Sequence, residues 1–257
     1  MHGSPGPERL ARYRWAARVI DGGRVLDAGC GTGWGTASLA RVATRAVGVD
    51  YSPPAILEAR ETHGQVAEFH DGDLRSLPFE DGAFDDVVCF ETLGHVAEVD
   101  KVLDELRRVL RPGGLLLISS ANRRVYPTGN PLHLRERTTG EFERELSSRF
   151  AHVAIYGQQT YFASLLASME MLALADPSTP IEAEVSKLSG DPPGTEVHAV
   201  AAASDVELPP PPPHLALGED VRYEEQAREL REWRERAVEA EAALLAARRE
   251  LRRERQR

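Results

Sequence analysis

The stretch Val25-Leu26-Asp27-Ala28-Gly29-Cys30-Gly31-Thr32-Gly33 carries a short apolar run straight into three alternating glycines, with a helix-compatible run to Val42 behind them. Read as strand, loop and helix, it opens an α/β unit whose glycines let a ligand approach the main chain closely. Two ligand classes fail here. A dinucleotide fingerprint of the G-x-G-x-x-G/A kind needs a small residue at the third position. Counted from Gly29 that residue is Trp34, and counted from Gly31 it is Thr36. No Gly-Lys-Ser/Thr follows, so a phosphate-loop nucleotide site is also excluded.

Working outward, the same alternation repeats. Strands are expected at Arg24 to Ala28, Ala46 to Asp50, Val66 to Phe69, Phe84 to Phe90, Leu115 to Ser119 and Val153 to Tyr156, with a last one at Val197 to Ala203. Helices are expected from Gly33 to Val42, from Pro53 through Arg60, from Val99 to Leu110 and from Glu141 to Leu146. Proline suits a first helical turn, and Pro112, Gly113 and Gly114 end the third of these helices. Strands alternating with helices imply a Rossmann-like, doubly wound, mostly parallel sheet. Such a sheet binds ligands beyond the carboxyl ends of its strands, where the strand order reverses.

Composition sets the limits. The chain has 257 residues, 42% of them hydrophobic, which is enough for a true core. A net charge of −10 disfavours a broad nucleic-acid groove, so no nucleic-acid partner is expected. Two cysteines, Cys30 and Cys89, make neither a disulfide framework nor a zinc cage, and no metal site is expected. Met1 to Pro7 lacks the apolar core of a signal peptide, and no apolar run reaches membrane-span length, so a cytoplasmic location is expected.

The chain divides on composition into a disordered N-terminus at 1–7 and an α/β domain at 8–205 with an irregular insertion at 159–193. A Pro-rich linker at 206–218 and a charged C-terminal helix at 219–257 follow. Tyr223, Leu230, Ala237, Leu244 and Leu251 recur every seven residues, a seam that suits a coiled coil, a homodimer or a docked partner. Six arginines in residues 248–257 leave peripheral contact with an anionic membrane surface open.

Two acids follow the glycine loop at telling places. Asp50 ends the second strand, where a carboxylate can accept from both hydroxyls of a ribose. Asp73, in Asp71-Gly72-Asp73-Leu74, follows the third and could accept from an adenine amine. Either one alone would read as an ordinary cap or turn residue; the ordered set does not.

Together VLDAGCGTG, VGVD, DGDLRSLPFEDGAFDDVV and LRPGGLLLIS resemble the class I S-adenosylmethionine-dependent methyltransferases, over about residues 8–158. The resemblance implies S-adenosylmethionine as cofactor. It puts Asp27, Gly29, Cys30 and Gly31 at the methionine end, Asp50 and Tyr51 at the ribose, Asp73 and Leu74 at the adenine, and Phe90 or Glu91 at the border with the acceptor. Cys30, which has no base partner, reads as a small packing residue. The N-terminal Glu8-Arg9-Leu10-Ala11-Arg12-Tyr13 also looks like the lead helix of bacterial methyltransferases of polysaccharide and glycoconjugate synthesis. So do Asn122-Arg123, the Asn130-Pro131-Leu132-His133-Leu134-Arg135-Glu136 segment and Tyr156-Gly157-Gln158. That narrower resemblance implies that Arg12 or Tyr13 closes over the methionine end and that His133 and Glu136 face the acceptor.

His95, four residues after Glu91, could deprotonate an acceptor hydroxyl or amine; the bland alternative is a histidine that caps or packs the next helix. Glu91, His95 and His133 are the candidate catalytic residues. The function expected is methyl transfer to oxygen or nitrogen of a small-molecule or glycan-linked acceptor. The alternative is a non-catalytic cofactor-binding scaffold that works through its C-terminal helix.

Overall fold

A computed structural model describes residues 7–125, 134, 136–159 and 196–207. The elements run α1 (Pro7–Val19), β1 (Arg24–Ala28), α2 (Trp34–Leu39), β2 (Arg45–Asp50), α3 (Pro53–His63), β3 (Glu68–Asp71) and β4 (Phe84–Cys89). A 3-10 turn at Leu93–His95 leads into α4 (Val99–Val109), β5 (Leu110–Ala121), α5 (Thr139–Ser147), β6 (His152–Gln158) and β7 (His198–Ser204).

Among the described residues the strands form one sheet in the order β3-β2-β1-β4-β5-β7-β6. The first five are parallel, while β7 pairs antiparallel with both β5 and β6. The chain steps outward from β1 to β3 and then returns to the other side of β1. The order therefore reverses between β1 and β4, and a crevice opens beyond their carboxyl ends.

Both faces of the sheet are covered, as the near-continuous apolar strands require. Val25, Val88, Leu115, Leu117, Val200 and Ala202 point to one face, against Tyr13, Trp15, Ala16 and Ile20. Their alternate neighbours Leu26, Val87, Cys89, Leu116 and Ile118 point to the other, against α4 and α5. In α4, Val99, Val102, Leu103, Leu106 and Val109 recur at helical spacing to form the buried stripe. Local signals fix the helix starts. Ser52 caps α3 by accepting from Ala55 N, with Pro53 and Pro54 in the first turn. Thr138 and Glu141 form a reciprocal capping box on α5, and those bonds hold the Glu141 carboxyl down at about 2.

Several expected boundaries shift for local reasons. The lead helix starts at Pro7, inside the segment expected to be disordered, and reaches Val19. α2 ends at Leu39, and turns replace the helix expected to run on to Val42. β3 starts at Glu68 rather than Val66, because Val66 N and Ala67 N still donate to His63 O in the exit turn of α3. β5 runs from Leu110 through the Pro-Gly-Gly segment, which is absorbed as a register shift against β4. The heptad seam, most of the Pro-rich linker, residues 160–195 and His133 lie outside the described residues. Among those described, no helix is long and apolar enough to cross a membrane and no metal-ligand cluster occurs.

Candidate cofactor and acceptor site

The loop after β1 is laced to the end of β2. Gly29 N and Cys30 N both donate to Val49 O, at 2.8 and 3.0 Å. Gly29, Gly31 and Gly33 take φ of 85°, 55° and 81°, a region that side-chain-bearing residues rarely adopt. A Cβ on Gly29 would collide with the Thr92 hydroxyl, whereas one on Gly31 would meet nothing within 4 Å. Gly31 thus borders open space, and its amide is turned to Asp50.

Asp50 is held from both sides. Gly31 N donates to Oδ2 at 2.8 Å and Ser52 N to Oδ1 at 2.9 Å. A carboxylate has about four acceptor positions, so each oxygen keeps a lone pair for another donor. Two fixed acceptors beside open space fit the vicinal hydroxyls of a ribose. A pair of carboxylates, Asp27 and Asp50, near the loop also suits a cationic ligand better than a phosphate.

Asp27 lies beneath the loop, 1% exposed. Tyr13 OH donates to its Oδ1 at 2.9 Å and Thr36 Oγ1 to its Oδ2 at 2.7 Å. Burial pushes its carboxyl up to about 6, against the opposing pull of those two hydroxyls. Burial also raises the Tyr13 phenol, and the Asp27 charge adds to that. The Tyr13 ring meets Phe90 and Trp34 edge-on, with centroids 5.2 and 5.8 Å away. Gly35 makes room for it, since a Cβ there would run into the ring. α1 is therefore keyed onto the glycine loop through one side chain.

Glu91, at the end of β4, points back to α1. Arg12 Nη2 pairs with its Oε1, Arg9 Nη2 lies 3.2 Å from Oε2, and His198 Nε2 lies 3.4 Å from Oε1. Burial alone would raise the Glu91 carboxyl, but Arg12, Arg9 and His198 together hold it below its usual range. Glu91 has φ 56°, the one positive φ among the described non-glycine residues, and its amide donates to Ser119 Oγ at 3.0 Å. Arg12 is 2% exposed and also donates from Nη1 to Gln158 Oε1 at 2.5 Å. Its burial lowers the guanidinium, and Glu91 offsets part of that. A carboxylate gripped by these cations is poorly placed to take a proton from an acceptor.

The other expected residues spread around the same rim. Arg75 occupies both Asp73 oxygens, at 2.6–3.0 Å, holds that carboxyl below its usual range, and bridges on to Glu98. Leu74 is buried in the core under α4, and Phe90 is buried against Tyr13. Tyr51 is 79% exposed. The Cys30 thiol is buried beside Phe69 and pushed up by desolvation, in keeping with a packing residue. His95 is exposed on the 3-10 turn, and Leu134 N donates to Gly94 O at 2.7 Å. Sequence reasoning missed Arg9, Thr36, Ser119 and His198. His198 stood inside a strand pattern and carried no motif, and its role depends on antiparallel pairing that brings it to Glu91.

Residues 26–118 match the family model described as a methyltransferase domain. The chain is 36% identical over 141 residues to a Mycolicibacterium smegmatis protein named "probable S-adenosylmethionine-dependent methyltransferase", covering 53% of this chain and 54% of that one. It is 36% identical over 119 residues to a ubiquinone biosynthesis O-methyltransferase of Methylocella silvestris, covering 45% of this chain and 46% of that one. The chain thus spans about half the length of these curated relatives. A Thermotoga maritima structure titled as an S-adenosylmethionine-dependent methyltransferase, possible histamine N-methyltransferase, shares the fold. Its TM-score is 0.57 at 18% identity, over 78% of this chain and 90% of that one.

Proposed function

We propose that this chain, whose residues 26–118 match the family model of a methyltransferase domain, transfers a methyl group from S-adenosylmethionine to oxygen or nitrogen of a small-molecule or glycan-linked acceptor. The observation that carries the reading is Asp50, fixed by two backbone amides with a lone pair left on each oxygen, beside the open space at Gly31. When bound, the cofactor supplies an electrophilic methyl group on a sulfonium.

The chain's own residues bind and orient. Asp50 accepts the ribose hydroxyls. Asp27 and Asp50 supply negative potential to a cationic ligand. Leu74 and the main chain around Asp73 border the adenine, and Tyr13 and Phe90 exclude water from the methionine end. Methyl transfer needs the acceptor in line with the bond that breaks, so positioning and desolvation supply much of the rate. His95 is the better-placed general base, because Glu91 is engaged by Arg12, Arg9 and His198. The name of the Methylocella relative favours oxygen as the acceptor atom, and the resemblance in the 122–158 region supports a glycan-linked acceptor.

Calorimetric titration with S-adenosylhomocysteine tests the reading, with NADH as comparison and Asp50→Ala as control. Binding in the micromolar range, about −8 kcal/mol, lost in Asp50→Ala and absent with NADH, is expected. A folded wild-type protein that binds neither ligand overturns it.

A further inference from the structure

We propose that His198 and Gln158 are positioning residues that hold α1 over the glycine loop by gripping the two halves of the Arg12–Glu91 ion pair. The two residues are direct partners in the antiparallel ladder between β6 and β7. Directly opposed residues present their side chains on the same face of a sheet. That face is the one α1 covers, since Val200 and Ala202, at even spacing from His198, pack with Tyr13, Trp15 and Ile20. Two residues before Gln158 on β6, Tyr156 meets Trp15 with ring centroids 5.4 Å apart.

The grip is divided between the pair. Gln158 Oε1 takes Arg12 Nη1 at 2.5 Å, and Gln158 Nε2 donates to Glu8 O at 2.9 Å, so one amide holds α1 at two points. His198 Nε2 lies 3.4 Å from Glu91 Oε1, the oxygen that Arg12 also contacts. Arg12 and His198 are both nearly inaccessible to solvent. A buried ion pair recovers its desolvation cost only when further polar partners fix its geometry, and Arg12 Nε is already without a partner. The left-handed backbone at Glu91 points the same way. A strained non-glycine residue persists where its surroundings over-determine it, and here Ser119, Arg9, Arg12 and His198 all do so. The β6–β7 strand pair is thus the clasp of α1, and Tyr13, one residue after Arg12, reaches Asp27 only while that clasp is shut.

Hydrogen exchange over residues 7–19, measured on the full chain alongside S-adenosylhomocysteine titration, tests this. The expected effect of His198→Leu is roughly tenfold faster exchange in α1 and roughly tenfold weaker binding, the size of one charge-assisted bond. His198→Gln, whose amide nitrogen can stand where Nε2 stands, restores both to within about twofold. Gln158→Leu repeats the loss from the other side and serves if His198→Leu fails to fold. Unchanged α1 exchange in both leucine variants overturns the proposal, and so does a His198→Gln protein as impaired as His198→Leu, which would mean packing alone. The binding arm rests on the cofactor reading above and the exchange arm does not. A wild type that fails to bind sinks that reading while exchange still decides the clasp.

Discussion

Tyr13 OH and Asp27 Oδ1, on α1 and β1, lie 2.9 Å apart in a site closed to water. The bond joins the helix above the glycine loop to the strand beneath it, and it ends on a carboxyl raised to about 6. An acid raised on folding favours the fold in its protonated form. Its contribution is full below the unfolded value near 3.9 and is lost as pH rises through about 6. Measured against Asp27→Asn by denaturant titration, the wild type is expected to lose about 2 kcal/mol of relative stability between pH 4 and pH 7. A difference that stays flat across that window would remove Asp27 as the titrating group. Affinity for the cationic cofactor should run the other way, weakening in the wild type as pH falls through about 6 and much less in Asp27→Asn.

Gly35 is fixed by Tyr13 rather than by its own backbone, because a Cβ would meet the phenol ring. Gly35→Ala is expected to cost about 1–3 kcal/mol, as overpacking does, and to displace α1. Made in a Tyr13→Ala background, where the ring is gone, the same glycine change should cost much less. Thermal unfolding of the wild type, the two single variants and the double variant reads this: an undiminished glycine effect in the Tyr13→Ala background would place the clash elsewhere.

Removing one side of the Arg12–Glu91 pair leaves a buried charge uncompensated. Glu91→Gln is expected to destabilise by about 3 kcal/mol. The double variant Arg12→Met, Glu91→Gln should be less destabilised than either single change, because the desolvation cost leaves together with the attraction. A double-mutant cycle in urea reads the coupling directly, and additive losses would show that the two side chains act independently.

His95 is expected to show itself in turnover alone. His95→Gln should lower kcat about 100-fold or more, as loss of a general base does, with S-adenosylhomocysteine affinity unchanged in calorimetry. A fall in affinity with kcat intact would assign His95 to packing of the 3-10 turn.

The strand–loop–helix reading of residues 25–42 carried the fold, because glycine spacing and apolar runs are local signals that survive into the structure. Asp50 was legible for the same reason: it ends a strand whose register against β1 follows from the pattern. The grip on Glu91 was not legible. Expecting Glu91 to face an acceptor required knowing nothing of His198, which lies 107 positions away in sequence, or of the antiparallel turn-back that delivers it. The Asp73–Arg75 pairing was hidden differently, since two residues so close in sequence can face together or apart depending on the turn between them.

β7 is the last strand to be synthesised among those described, yet it is wedged between β5 and β6. While the chain grows on the ribosome, both neighbours wait with bare edges until residues 198–204 arrive, a delay of seconds at ~5–20 residues per second. Unpaired edges are templates for association with other chains. The strand that fills the gap is made mostly of small residues, alanine at four of seven positions, and all seven end up buried. A nascent chain halted before residue 198 would present an open cleft in its sheet, and its first helix would lack the His198 side of its grip.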